Sequence, residues 1–173
     1  MKEEKSKFPA TELSVCCDLV NIGVSVIIFN QKQQVLLYQR KDLGWWGFPG
    51  GRVDNKESLE FAALREVKEE TGLKVVLKNV SGIYLKTKGK KNILFIFTAE
   101  VDGGKLLKTG DETKNNRWFQ IKKAQTLLSP NLRRRLKDAL RKDHLFIRRQ
   151  DALPFKMWLD LRKRDLRNFI SFR

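Results

Sequence analysis

The sequence predicts a layered α/β fold, and three observations carry that prediction. Short runs of β-branched and aromatic residues recur along the first 120 positions, as expected of strands feeding one sheet. A single strong helix interrupts them after a loop crowded with glycine. A second helical segment begins at Pro130, after the last strand. Strands mixed with helices in this way pack as helices layered on a sheet.

Each element has its own reason. Ile22–Phe29 and Val35–Arg40 are apolar runs joined by the polar turn Asn30–Gln34 and read as two strands. Asp42–Asp54 holds Gly44, Gly47, Pro49, Gly50 and Gly51, too many breakers for a helix or strand interior, so it is a loop with special backbone angles. Glu57–Thr71 has helix-forming composition and stops at Gly72, with Asn55 or Asp54 as the expected N-cap. Leu73–Leu77, Gly82–Leu85 and Ile93–Val101 read as three strands, the last apolar enough to be buried on both faces. Arg117–Ile121 is a short strand, Pro130–Lys142 a helix, and Asp151–Arg173 a further helical segment.

Length and composition set outer limits. The 173 residues fit one domain with one core, since 41% are hydrophobic. Lys and Arg number 36 against 20 Asp and Glu, a formal net charge of +16 that favours anionic partners such as nucleotides, nucleic acid or an anionic membrane surface. The excess is uneven: residues 130–173 carry +9 and residues 1–129 carry +7. Cys16 and Cys17 are adjacent, which excludes a disulfide framework. The charged N-terminus does not open a signal peptide, and no stretch approaches membrane-span length. The expectation is a soluble cytoplasmic protein with no transmembrane segment; oligomeric state, including a homodimer, is not readable.

The chemistry concentrates on the strong helix. Glu66, Glu69 and Glu70 stand at i, i+3 and i+4, within an arc of roughly 100°, so three carboxylates leave one face. Their mutual repulsion is relieved by a hard divalent cation, for which carboxylate oxygens suit Mg²⁺ or Mn²⁺; a plain solvated acidic face has the same spacing. Ala63, Leu64 and Val67 mark the opposite side as the one packed on the sheet. Gly50 and Gly51 just before the helix let backbone approach a ligand closely.

Gly51, five residues, Glu57, seven residues, then Arg65-Glu66-Val67-Lys68-Glu69-Glu70-Thr71-Gly72-Leu73 resembles the complete signature of the Nudix hydrolases. Average residue usage puts a chance match at about one in a billion per start position. The lead-in Trp46-Gly-Phe-Pro-Gly-Gly51 resembles that family too, and the likeness covers roughly Val20 to Leu128. It implies an α/β/α sandwich around a mixed sheet, placed at residues 1–129 with a polar N-terminal segment at 1–13. Residues 130–173 lie outside the likeness and are read as a basic helical extension docked on the same domain. The likeness also implies hydrolysis of a nucleoside diphosphate linked to another moiety, with magnesium neutralising phosphates and lowering the pKa of the attacking water.

The resemblance assigns roles position by position. Glu66, Glu69 and Glu70 become metal-binding glutamates, joined by the backbone carbonyl of Gly51. Arg65 and Glu57 become an ion pair that orients the helix and its carboxylates. A further loop carboxylate is expected, and Glu112 is the candidate, ahead of Asp111. Arg40 and Arg52 occupy substrate-facing positions, where a guanidinium suits phosphate oxygens, though each is also readable as an ordinary surface arginine. Trp45, Trp46 and Phe48 either stack a base or pack the mouth of the fold. His144, far from this region, is read as a surface residue.

The tail alternates Phe155, Trp158, Leu159, Leu166, Phe169 and Ile170 with Arg162, Lys163, Arg164 and Arg167 at mostly helical spacing. Such a segment docks on its own domain, contacts RNA through phosphates, or lies on a membrane. The leading functional expectation is a magnesium-dependent pyrophosphohydrolase of a small nucleotide, a nucleoside triphosphate or an ADP-ribose type compound. The alternatives are an RNA 5′-end pyrophosphohydrolase or decapping enzyme, and a nucleotide- or RNA-binding module without catalysis. Tyr84 is the only tyrosine after the helix and does not decide the substrate.

Overall fold

The computed structural model describes residues 20–87, 91–110, 113–141 and 144–150. Among the described residues, seven strands and three helices follow in chain order. They are β1 (Val20–Phe29), β2 (Val35–Arg40), β3 (Trp46–Gly47), α1 (Leu59–Thr71), β4 (Leu73–Lys86), β5 (Lys91–Gly104), β6 (Thr113–Phe119), α2 (Ile121–Leu127), α3 (Pro130–Ala139) and β7 (Phe146–Arg149). The mixed sheet runs β3-β2-β1-β5-β4-β7, with β6 paired to β2. β1 and β5 are parallel along ten residue pairs, from Val20 with Lys91 to Phe29 with Glu100.

Side-chain alternation along β1 divides the core. Val24, Val26 and Ile28 pack with Ala62, Ala63 and Val67 of α1 on one face. Ile27, together with Val35, Leu37 and Tyr84, packs with Ala124 of α2 and Leu136 of α3 on the other. The result is the α/β/α sandwich that the sequence predicts.

Several boundaries depart from the expected ones. The strands expected at Leu73–Leu77 and Gly82–Leu85 are one strand, because irregularities between Leu77 and Asn79 and between Val80 and Gly82 carry the chain through instead of turning it. In β5 only Ile96–Ala99 form a buried stretch, and the flanking residues are partly or fully exposed, so burial on both faces is confined to the strand's middle. The last strand spans Thr113–Phe119 and gives way at Ile121 to a short helix the sequence did not announce. α3 ends at Ala139, short of Lys142, and the chain returns as β7, parallel to β4. Cys16, Cys17 and the helical segment expected at 151–173 lie outside the described residues.

The helix that carries the acidic residues also starts differently. Ser58, not Asn55 or Asp54, is the N-cap: its Oγ accepts from Phe61 N at 3.1 Å. Glu57 therefore precedes the helix, in a turn where its own N donates to Asp54 O at 3.1 Å. Leu64, expected on the packed side, is 40% exposed; Ala62, Ala63, Val67 and Thr71 form the fully buried stripe. Gly72 closes the helix as expected, at φ +73° with its N donating to Lys68 O at 2.8 Å.

Candidate active site

The loop before α1 is stitched to β1 by backbone bonds. Val24 N donates to Gly51 O and Val26 N to Pro49 O, at 2.9 and 2.8 Å. Gly50 has φ +148°, and a Cβ there would run into the backbone of Val24 and Ser25, so the position takes only glycine. At Gly51 a Cβ would instead collide with the Glu66 carboxylate. One glycine therefore serves the fold, and the other makes room for the first acidic residue of the helix.

Around them the carboxylates are held by specific donors. Glu70 Oε2 accepts from Gly50 N at 2.8 Å, across the gap between helix and loop. Arg65 binds Glu57 through two parallel bonds, Nε to Oε1 at 2.8 Å and Nη2 to Oε2 at 3.0 Å. Its Nη1 reaches Glu66 Oε1 at 2.9 Å and Glu69 Oε2 at 3.2 Å, and Nη2 also donates to Arg52 O at 3.1 Å. Those Arg65 bonds, with help from the Asp54 N donor, hold the Glu57 carboxyl down to about 2. The Glu57 bonds in turn raise the affinity of Arg65 for its proton.

Glu66 abuts Gly51, Glu70 is bonded to Gly50, and Glu69 shares the Arg65 guanidinium with Glu66 and is the most exposed of the three. Among the described residues no three acidic side chains converge closely enough to hold an ion as they stand. Arg65 bridges Glu66 and Glu69, while Glu70 is turned onto Gly50. The donor set nevertheless fits a hard divalent ion: three carboxylates within two helical turns, all beside a loop whose backbone approaches without side-chain hindrance. Glu112 and Asp111 lie outside the described residues.

Beside the glycines opens a cavity of about 830 Å³, and Gly51, Arg40, Arg52, Trp45 and Trp46 all line it. Arg40 reaches it already paired, with Nε on Asp42 Oδ1 at 3.0 Å and Nη2 on Asp42 Oδ2 at 2.9 Å. Trp46 packs, its ring meeting Phe119 edge-on at 5.0 Å, and it also lines the cavity. Phe48 is 4% exposed and belongs mainly to the core. His144 stacks on Phe146 at the surface.

Three further residues stand at the site without a signal in the sequence. Tyr38 lines the cavity, and its hydroxyl is pushed up to about 12, first by burial and then by the negative charge of Glu70. Asn116 Nδ2 donates to Glu70 O at 2.8 Å and Leu107 O at 3.0 Å, tying β6 to the end of α1. Arg135 of α3 lines the same cavity. All three arrive through pairing and packing between distant segments, which local patterning does not report.

Fold and sequence together place the chain in one class of protein, an α/β/α sandwich with a glycine loop leading into an acidic helix. The model of the NUDIX domain matches residues 20–142, and the chain belongs to the Nudix family, whose hydrolases act on phosphoric anhydrides. Over 116 residues it is 38% identical to a Bacillus subtilis protein named "Putative 8-oxo-dGTP diphosphatase", an alignment covering 67% of this chain and 77% of that one. It is 35% identical over 100 residues to an ADP-ribose pyrophosphatase of Methanocaldococcus jannaschii, covering 54% of this chain and 59% of the relative. Among solved structures, the MutT protein of Bacillus halodurans superposes with a TM-score of 0.64 at 29% identity, covering 76% of this chain and 90% of that chain. An ADP-ribose pyrophosphatase from Streptococcus suis does so at 0.60 and 26%, covering 75% and 98%. Among the described residues no helix is long and apolar enough to cross a membrane.

Proposed function

We propose that the protein is a magnesium-dependent pyrophosphohydrolase of a small nucleotide, either a nucleoside triphosphate or a nucleoside diphosphate joined to another group. The observation that supports this best is the adjacency of the two halves of the chemistry: the Glu66 carboxylate abuts Gly51, and Gly51 lines the nucleotide-sized cavity. Relatives named for 8-oxo-dGTP and for ADP-ribose agree on a nucleotide carrying a phosphoric anhydride and differ on what is attached.

In this reading Glu66, Glu69, Glu70 and the Gly51 carbonyl hold Mg²⁺, with Mn²⁺ as a substitute. The ion supplies neutralising charge at the diphosphate and makes water at the site more acidic. Arg65, fixed by Glu57, sets the angles of Glu66 and Glu69. Glu69, exposed on the helix face, takes the proton of the attacking water. Glu112 is the further carboxylate that the family resemblance assigns to this chemistry. Water attacks one phosphorus and the other phosphate leaves. Arg52, and Arg40 once released from Asp42, bind phosphate oxygens. Trp45 and Trp46 border the base or the attached group.

The experiment is a substrate panel with Mg²⁺: nucleoside triphosphates, oxidised purine nucleotides, ADP-ribose, and triphosphorylated RNA. Release of a nucleoside monophosphate with pyrophosphate, or of two monophosphates from ADP-ribose, is the expected outcome. Turnover confined to the RNA would replace this reading with 5′-end processing, and no turnover with retained nucleotide binding would replace it with a binding module.

A further inference from the structure

The cavity lined by Gly51 is also lined by Arg135, a cation with no carboxylate partner among the described residues. Arg135 projects from α3, and its guanidinium lies 5.2 Å from the Tyr84 ring centroid. Nε and Nη2 both donate to one neutral acceptor, Gln150 Oε1, at 3.3 and 3.0 Å. Among the described residues no carboxylate forms an ion pair with it, because the neighbouring Asp138 is taken by Arg148 Nε and Nη2 at 2.6 and 2.8 Å and by Tyr84 Oη at 2.6 Å. Nη1 makes no bond to a described residue and is not sealed from solvent, so it is open to an acceptor that enters the cavity. Burial pushes Arg135 down to about 10, which leaves it cationic at neutral pH. A guanidinium in a cavity wall that lacks a carboxylate partner keeps donor capacity for a ligand's acceptor.

Strand register locates that donor relative to the phosphate end. Gly23 sits against Gly51, since a Cβ on Gly23 would approach Gly51 O to 3.0 Å and the Leu94 side chain to 3.3 Å. Gly23 pairs with Leu94, and Leu94 pairs with Tyr84. Tyr84 is therefore two inter-strand spacings, roughly 10 Å, from the strand that carries the glycine loop, and Arg135 stands over it. A nucleotide with its diphosphate at Gly51 spans that distance with its sugar and base. The intervening wall includes Leu94, Leu128 and Leu132, which suits a flat ring and not a phosphate.

We propose that Arg135 is a specificity-determining residue that donates to carbonyl oxygens on the base, so that bases with a keto edge, guanine and its oxidised forms foremost, are preferred over bases with an amino edge there. A keto oxygen accepts from the guanidinium, whereas an exocyclic amine is itself a donor and leaves the cation unmet. The inference rests on the nucleotide pyrophosphohydrolase reading and narrows it to a class of base.

The test compares kcat and KM for GTP against ATP, and for UTP against CTP, in wild type, Arg135→Gln and Arg135→Lys, with circular dichroism and melting curves to establish folding. Wild type is expected to favour the keto partner of each pair by about tenfold or more in kcat/KM. In Arg135→Gln that ratio falls to within about threefold of unity, mainly through KM. Arg135→Lys, which keeps the charge without the planar fork, retains part of it, and it stands in for Arg135→Gln if that variant does not fold. A wild type indifferent to the base, or variants that lose all four nucleotides equally, would overturn the inference while leaving pyrophosphohydrolysis intact. If wild type hydrolyses none of them, the functional reading fails instead. Fluorescent GTP and ATP analogues titrated onto wild type and Arg135→Gln then decide the base preference by binding alone.

Discussion

Arg65 joins Glu57, which precedes α1, to Glu66 and Glu69 on its face, through bonds of 2.8 to 3.2 Å. One guanidinium thus connects the turn before the helix to two of the carboxylates assigned to the metal. Glu57→Gln weakens this clamp without emptying the space, and kcat/KM is expected to fall about 10–100-fold, the usual cost of losing a group that orients a ligand. Arg65→Ala is expected to cost at least as much, because two glutamates lose their shared donor. Steady-state kinetics at saturating and limiting Mg²⁺ check both, and unchanged rates in both variants would remove the positioning role.

The same pair has a pH signature. Glu57 titrates near 2 in the folded protein, below its ordinary 4.5, so the folded state binds fewer protons than the unfolded one over that interval. Its contribution to stability is present above about pH 4.5 and is lost as pH falls toward 2. Urea unfolding of wild type and Glu57→Gln is expected to show the largest gap above pH 5 and a shrinking gap between pH 4.5 and 2. A gap constant across that range contradicts the assignment.

Gly50 and Gly51 are expected to fail in different ways. Gly50→Ala forces a Cβ into the backbone of β1 at a positive φ and destabilises the protein by about 1–3 kcal/mol or more. Gly51→Ala meets the Glu66 carboxylate instead, so its effect falls on turnover and on the Mg²⁺ concentration required. Thermal melts paired with activity separate them, and equal effects on both quantities would refute the division of labour.

On the far face, Tyr84 Oη donates to Asp138 Oδ2 at 2.6 Å in a buried network with Arg148. Burial alone would raise the Asp138 pKa, but the Arg148 and Tyr84 bonds prevail and lower it. Tyr84→Phe removes a donor from a buried carboxylate and is expected to cost about 1–3 kcal/mol. Leu136→Ala, which empties a fully buried position on α3, is expected to cost about 2–5 kcal/mol. Chemical denaturation measures both, and a cost near zero for Leu136→Ala would mean that α3 does not pack on the sheet as described.

How much of this was legible in the sequence follows from how local each feature is. Gly51, α1, its Gly72 stop and the three glutamates lie close together in the chain, where spacing alone brings them together. Ser58 as cap was missed because Asp54 and Asn55 are equally good capping types, and only the turn that ties Glu57 to Asp54 pushes the helix start onward. α2 and β7 are seven and four residues long, too short for a clear period. Arg135 is one of three consecutive arginines, Arg133-Arg134-Arg135, and its place in the cavity wall depends on which face of α3 meets β4. The +16 charge pointed to an anionic partner, while the residues with specific chemistry proved to be an acidic cluster set against a cavity with cations in its wall.

The central claim is that the acidic face of α1 beside Gly51 is a metal-dependent hydrolytic site. Its most direct measurement is the rate of nucleotide hydrolysis as Mg²⁺ is titrated from zero, in wild type and in Glu69→Gln. The account predicts no turnover without a divalent ion, saturation with Mg²⁺ in wild type, and a loss in Glu69→Gln of about 10²-fold or more that added Mg²⁺ does not restore. Hydrolysis that persists in a chelator, or a Glu69→Gln protein as active as wild type, would contradict it.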